Sequence, residues 1–143
     1  MLERSCGAVA VTEKDGVRHY VLVKGGYTGL PKGHMESGES ERATALREVL
    51  EETCVSIKLV PGFRRTVTYR MPTGNDKRVV YFLGEFSGQE AHRNPEEFLR
   101  VMELPYSEAM RALTFENDRQ TLRAAERWMQ RLEKQRKKRA KKV

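Results

Sequence analysis

Between Gly33 and Val55 the chain reads GHMESGESERATALREVLEETCV, and this stretch limits what the whole sequence can fold into. Glu48, Glu51 and Glu52 stand about one helical turn apart, a spacing that puts carboxylates on one face of an α-helix. Ser40 or Ser37 is placed to cap its start, and acidic residues sit near its positive end, so a helix is predicted from Glu41 to about Thr53. At ~100° per residue, Ala43, Leu46, Val49 and Leu50 gather on one side while the three glutamates centre on the other. The apolar side is expected to pack on a sheet and leave the carboxylates outward. Most glutamates on helices are merely solvated, but Glu48 and Glu52 repel each other at i and i+4, and Arg47 offsets only part of that. A hard cation removes the repulsion. Carboxylate oxygens without His or Cys suit Mg²⁺, with Mn²⁺ as the other choice, rather than zinc.

The remaining composition narrows the setting. A chain of 143 residues fits one domain with a core of its own. No run approaches a membrane span, and Met1 to Cys6 lacks the basic-then-apolar pattern of a secretory signal, so a cytoplasmic protein with no membrane contact is expected. Cys6 and Cys54 match no paired zinc spacing and are read as ordinary reduced thiols. The net charge of +7 is not spread over the chain: residues 131–143 hold eight Lys or Arg against one Glu, which accounts for all of it. The division expected is a domain over 1–133 and a basic tail over 134–143, flexible or extending a helix. A block of like charge is read as a solvated end, with contact to nucleic acid as the reading not favoured.

Along the chain, Cys6 to Val11 and His19 to Val23 are β-favouring runs around Asp15-Gly16, a strong hairpin signal. Glycines at 25, 26 and 29 precede Leu30-Pro31-Lys32-Gly33-His34 and suit backbone lying close to a ligand or making an unusual turn. After the helix, Phe63 to Met71 and Arg78 to Phe86 read as an antiparallel pair across a polar turn. Residues 96–104 are ambiguous, with a strand as one reading. Pro105 to Leu113 suggests a short helix, and Thr114 or Asn117 is placed to cap a longer one in which Leu122, Ala125, Met129 and Leu132 keep helical spacing for core packing. Strands, a two-faced helix, more strands and a C-terminal helix fit a mixed sheet between helices, an α/β (α+β) class.

Gly33, Glu39, Arg47-Glu48-Val49, Glu51-Glu52 and Val55, at these spacings, resemble the signature of the Nudix hydrolases. One position departs: the family pattern has glycine where this chain has Cys54, and that glycine would serve a left-handed turn at the helix end. The resemblance implies an α/β/α sandwich with a catalytic loop-helix-loop, and cleavage of a nucleoside diphosphate linked to another group. It also implies that Glu48, Glu51, Glu52 and the Gly33 carbonyl hold Mg²⁺, and that Arg47 and Glu39 pair to keep loop and helix in register. A metal-activated water would attack phosphorus, with Glu51 or Glu52 as the first choice of proton acceptor and Glu96 or Glu97 as the candidates outside the motif.

Flanking residues bear on the substrate. Pro31-Lys32-Gly33-His34, Gly62-Phe63-Arg64-Arg65, Tyr69 and Lys77 to Leu83 resemble the asymmetrical dinucleoside tetraphosphate hydrolases in order and spacing. Lys32, His34, Arg64 and Lys77 are the cationic candidates for a long phosphate chain. Tyr81 and Phe98 are candidates to stack a base, with core packing as the competing reading of each; Thr28 stands where many relatives carry Trp. The reaction expected is hydrolysis of diadenosine tetraphosphate to ATP and AMP. Nucleotide sanitation and removal of pyrophosphate from RNA 5′ ends are the alternatives within the family, and a catalytically silent nucleotide sensor is the alternative outside enzymes. A monomer or a dimer is expected.

Overall fold

In the computed structural model, which describes residues 2–141, the longest strand organises everything else. β1 (Leu2–Lys14) runs parallel to β7 (Asp76–Glu85) from Leu2↔Asp76 to Val11↔Glu85. Its other edge is shared. The C-terminal end pairs with β2 (Val17–Lys24) through the two-residue Asp15-Gly16 turn, where both residues have positive φ, as a tight hairpin of this hand requires. The N-terminal end pairs instead with β4 (Lys32–His34), so β1 parts from β2 and admits the start of the glutamate motif. β3 (Thr28–Gly29) and β8 (Arg100–Pro105) flank β2, and β5 (Lys58–Leu59) and β6 (Arg65–Arg70) flank β7, making one mixed sheet of eight strands among the described residues. The ambiguous stretch 96–104 thus ends in a strand.

Strand alternation divides the core into two. Val9, Val11, Tyr20, Leu22, Val79, Tyr81 and Leu83 pack with α2 (Tyr106–Ala112) and α3 (Glu116–Lys141). Cys6, Ala8, Ala10, Val21, Val80 and Phe82 pack with α1 (Glu41–Thr53). Period-two side-chain direction is enough to produce this α/β/α layering. The second set is small along β1, and that changes which side of α1 faces inward. Ala45, Val49 and Thr53 are fully buried and Glu52 is 8% exposed, whereas Leu46 and Leu50 are 39% and 47% exposed. The expected inner side therefore holds only for Val49. Ala45 and Val49 fit against the small residues of β1 and bring the helix close, which turns Glu52 toward the sheet and the two leucines to its flank.

Ser40 caps α1: its hydroxyl accepts the Ala43 N–H at 3.0 Å. At the other end Cys54 is left-handed, φ 63° and ψ 19°, and donates its N–H to the Leu50 carbonyl at 2.9 Å. The turn expected of a glycine is present and a cysteine carries it. Cys54→Gly should relieve the strain and raise stability by about 1 kcal/mol, read as a higher melting temperature with unchanged turnover.

α3 starts without the expected side-chain caps. The Thr114 hydroxyl accepts the Thr28 N–H at 2.9 Å, tying the helix start to β3, and Asn117 lies inside the helix. Leu122, Ala125 and Met129 are buried, and Leu132 packs against the same cluster. Arg18 on β2 forks Glu126 at 2.8 and 3.0 Å and reaches Glu133 at 2.6 Å, fastening the helix along the sheet. Residues 134–141 continue α3, and no helix among the described residues is long and apolar enough to cross a membrane.

Candidate active site

β4 places the site loop against β1. Pro31 lies so near the β1 backbone that a Cβ on Gly7 would stand 2.1 Å from its carbonyl oxygen. Gly33 is needed for a second close approach: a Cβ there would fall 2.0 Å from the Glu48 carboxyl carbon. Loop and helix meet through Arg47, which uses every N–H of its guanidinium group. Nε and Nη2 fork Glu39 at 2.6 and 2.9 Å, Nη2 also reaches the His34 carbonyl at 2.9 Å, and Nη1 bonds Glu48 at 2.7 Å and Glu51 at 3.2 Å. Glu39 in turn accepts from the Glu36 N–H and the Thr44 hydroxyl. The Arg47 fork, helped by these two donors, holds the Glu39 carboxyl down to about 2.

The three motif carboxylates occupy different environments. Glu51 is half-exposed. Glu48 is largely buried, and burial raises its pKa against the pull of Arg47, with Glu51 and Glu97 adding to the rise. Glu52 is the extreme case: burial pushes it up to about 8, with Glu48 and Glu97 contributing, although the Lys32 N–H donates to it at 2.7 Å and the Lys32 charge favours ionisation. A carboxylate buried beside another carboxylate, with one backbone donor, has unmet demand for positive charge. Among the described residues, no three His, Cys, Asp or Glu side chains already converge as a finished cage. Arg47 supplies the countercharge to Glu48 and Glu51. The donor chemistry nonetheless fits a hard divalent cation: three carboxylates of graded burial share one end of the motif, and the missing side chain of Gly33 leaves room for Glu48.

The segment ahead of β8 closes over the C-terminal end of α1. Asn94 Nδ2 donates to the Glu51 carbonyl at 2.7 Å and the His92 N–H to the Thr53 carbonyl at 3.0 Å. Its Glu97 is near enough to raise both Glu48 and Glu52. Asn94 satisfies a helix-end carbonyl, a role that its sequence position in a polar loop gave no sign of.

The cationic candidates separate. Lys32 is partly buried beside Glu52, and Lys77, only 8% exposed, has its pKa lowered by burial and then by the Lys32 charge, so the two lysines face a common region. His34 is exposed, with Nε2 3.6 Å from Glu3. Arg64 is taken up by Glu41, in the first turn of α1, at 2.9 and 3.0 Å.

The two aromatic candidates are not brought together. Tyr81 shares the alternation of Val79 and Leu83, so it is 2% exposed in the core and donates its hydroxyl to Asp118 at 3.3 Å; it has no free face for a base. Phe98 is 95% exposed in the turn before β8. The exposed rings beside the lysines are others. Tyr27 and Phe115 meet edge to face at 5.1 Å, each about half exposed, and Tyr69 pairs with Lys77 across β6 and β7. Asp118 lies beneath them, within 3.2 Å of where a Gly29 Cβ would stand. Tyr27 adjoins Thr28, the position at which an aromatic is expected, and that adjacency is the one local clue; Phe115 and Asp118 join only because α3 begins against β3.

A mixed sheet between helices, split at its central strand by a glycine-led loop and a carboxylate-bearing helix, defines an α/β/α sandwich built around one oxygen-donor site. The NUDIX domain model matches residues 1–125, and the chain belongs to that family. It is 38% identical over 94 residues to the 8-oxo-(d)GTP phosphatase of Mycolicibacterium smegmatis, covering 66% of this chain and 28% of that protein. It is 32% identical over 112 residues to the asymmetrical bis(5′-nucleosyl)-tetraphosphatase of Rattus norvegicus, covering 76% of this chain and 70% of that one. The chain thus spans under a third of the mycobacterial relative's length. In fold it is similar to a C. elegans Ap4A hydrolase in a binary complex, with a TM-score of 0.81, 20% identity, and coverage of 89% of this chain and 97% of the other.

Proposed function

We propose that the protein hydrolyses a pyrophosphate bond of a dinucleoside polyphosphate with the help of Mg²⁺, converting diadenosine tetraphosphate to ATP and AMP. The observation that carries this reading is the buried Glu52 at the head of a run of groups suited to a long anionic substrate: carboxylates, then Lys32 and Lys77, then the exposed Tyr27, Phe115 and Tyr69. Glu48, Glu51, Glu52 and the Gly33 backbone would hold the ion, with Mn²⁺ as a substitute. When bound, Mg²⁺ polarises a phosphoryl oxygen and acidifies water. Glu52 takes the proton at its carboxylate as the water oxygen bonds to phosphorus and the bond to the departing nucleotide's phosphate oxygen breaks. Lys32 and Lys77 hold charge on the remaining phosphates, and a base stacks on the exposed rings. A cytoplasmic setting goes with free Cys6 and Cys54 and with a nucleotide substrate.

A second reading, (d)NTP pyrophosphohydrolysis, is favoured by the name of the mycobacterial relative. Side-by-side kcat/KM values on diadenosine tetraphosphate, 8-oxo-dGTP and 5′-triphosphorylated RNA separate the readings, and the first is expected to lead. Ion binding has its own readout. Because Glu52 sits near 8 without the ion, Mg²⁺ should release close to one proton per chain at about pH 7 and far less at about pH 9.5, and Glu52→Gln should abolish the difference, all measurable with an indicator dye in weak buffer.

A further inference from the structure

Beyond the carboxylate site, α3 carries a second charged feature. At ~100° per residue Arg123, Arg127, Arg131, Lys134, Lys138 and Lys141 fall within one stripe about 80° wide, and a rise of 1.5 Å per residue stretches it over ~27 Å. Among the described residues, none of these six is in an ion pair, whereas three of the four other cations of the helix are: Arg119 with Glu116, Arg136 with Glu85 and Lys137 with Glu133. The helix's own acids Glu126 and Glu133 are turned to Arg18, on the side that meets the sheet. Like charges at i and i+4, as in Arg127 and Arg131 or Lys134 and Lys138, work against the helix unless an anion neutralises them.

What distinguishes this stripe from an ordinary solvated face is the groove beside it. A cavity of about 370 Å³ is lined by Gly62, Arg64, Arg65, Arg127, Trp128 and Arg131. Trp128 is partly exposed; it stands edge to face with Phe63 at 5.9 Å, and the Arg131 guanidinium lies over its ring at 5.3 Å. Gly62, at φ 91°, lets the ring approach, since a Cβ would come within 2.9 Å of it. Arg65 is fixed to Thr121 at 3.2 Å. A partly exposed indole packed on Phe63 and bordered by arginines is the arrangement that takes an unpaired base while cations follow the phosphates.

We infer that the α3 stripe and the Trp128 groove form a binding surface for a single-stranded nucleic acid. A lipid surface fits less well, because beyond Leu132 the helix has no apolar residue except Ala140 to enter a bilayer. An acidic protein would satisfy the cations but leave the aromatic groove unused. The inference does not depend on which bond the carboxylates cleave.

The test is fluorescence anisotropy of the full chain with end-labelled single strands of about 12 nucleotides, in a salt series, with the emission of Trp128, the chain's single tryptophan, followed in parallel. Strand binding should quench Trp128. Combined Arg127→Glu, Arg131→Glu and Lys138→Glu should weaken binding by about tenfold or more and flatten the log–log salt slope by about 2, the loss of three phosphate contacts. Turnover of small nucleotides and the helical circular dichroism should stay unchanged, and neutral Gln replacements at the same positions should act in the same direction. Unaltered affinity in both variants overturns the inference, as does binding without any change in Trp128. So does equal or tighter binding of polyglutamate, or of phosphatidylserine vesicles, which would assign the stripe to a protein or a membrane.

Discussion

Glu52→Gln should lower turnover by about 10³-fold or more while leaving the fold intact, and should make the ion-free protein more stable at alkaline pH. The amide keeps the oxygen that accepts the Lys32 N–H, so the loop stays where it is. On the proposed mechanism it removes a negative charge offered to the ion and the group assigned to take the proton. The stability effect follows from the direction of the Glu52 shift. Its folded value of about 8 exceeds the ordinary 4.5, so the contribution of Glu52 to stability is fully present below about 4.5 and is lost as pH rises through about 8. The variant lacks that alkaline loss. Melting curves without Mg²⁺ should therefore place Glu52→Gln above the parent at about pH 9, with the gap closing toward acid pH, and Mg²⁺ should raise the parent alone. A nucleotide sensor would keep its affinity in the variant and have no turnover to lose.

The second large effect is expected at Arg47. Arg47→Ala strips the countercharge from Glu39, Glu48 and Glu51 together and unties the helix from the His34 carbonyl. Turnover should fall by about 10²-fold, with half-saturation shifted to higher Mg²⁺, because the carboxylates lose their register. Arg47→Lys should rescue little: a single ammonium cannot fork Glu39 and also reach two further carboxylates and a carbonyl. Acid unfolding reports the same loss. Glu39, held at about 2, contributes stability that is present above its ordinary value of 4.5 and disappears as pH falls through about 2. Without Arg47 that protection goes, so the variant should unfold at a higher pH than the parent in an acid titration followed by circular dichroism.

Both variants act on a stretch whose outline was legible in the sequence and whose depth was not. The limits of α1, its Ser40 cap and the Asp15-Gly16 hairpin follow from local rules, and the structure has them as expected. The burial of Glu52 follows from a distant cause, the small Cys6, Ala8 and Ala10 of β1, which receive Ala45 and Val49 and leave Leu46 and Leu50 outside. A helical wheel that weights leucine most heavily turns the helix too far. Tyr81 was legible in principle, since strict alternation with Val79 and Leu83 places it in the core. Tyr27, Phe115 and Asp118 were not, because no local pattern tells that the start of α3 docks beside β3 through Thr28 and Thr114.

The cysteine at the end of α1 belongs with these long-range effects. A left-handed residue that is not glycine costs local free energy, yet the Leu50 carbonyl is satisfied and Asn94 and the His92 N–H fasten the last turn from outside. The contacts of the covering segment hold the helix end in the conformation that glycine would otherwise favour. Glu97 of the same segment adds, after burial, to the raised pKa of Glu48 and Glu52, so one piece of chain bears on both the helix end and the carboxylates.

The chemistry proposed for these carboxylates is an ion-assisted cleavage of a long phosphate chain between two nucleosides. It is tested most directly by incubating the full chain with diadenosine tetraphosphate, with Mg²⁺ or with a chelator, and separating the products by ion-exchange chromatography. ATP and AMP in equal amounts, formed only with the ion and not by Glu52→Gln, is the predicted result. An intact substrate, or a pair of ADP molecules, together with pyrophosphate released readily from 8-oxo-dGTP, would contradict it.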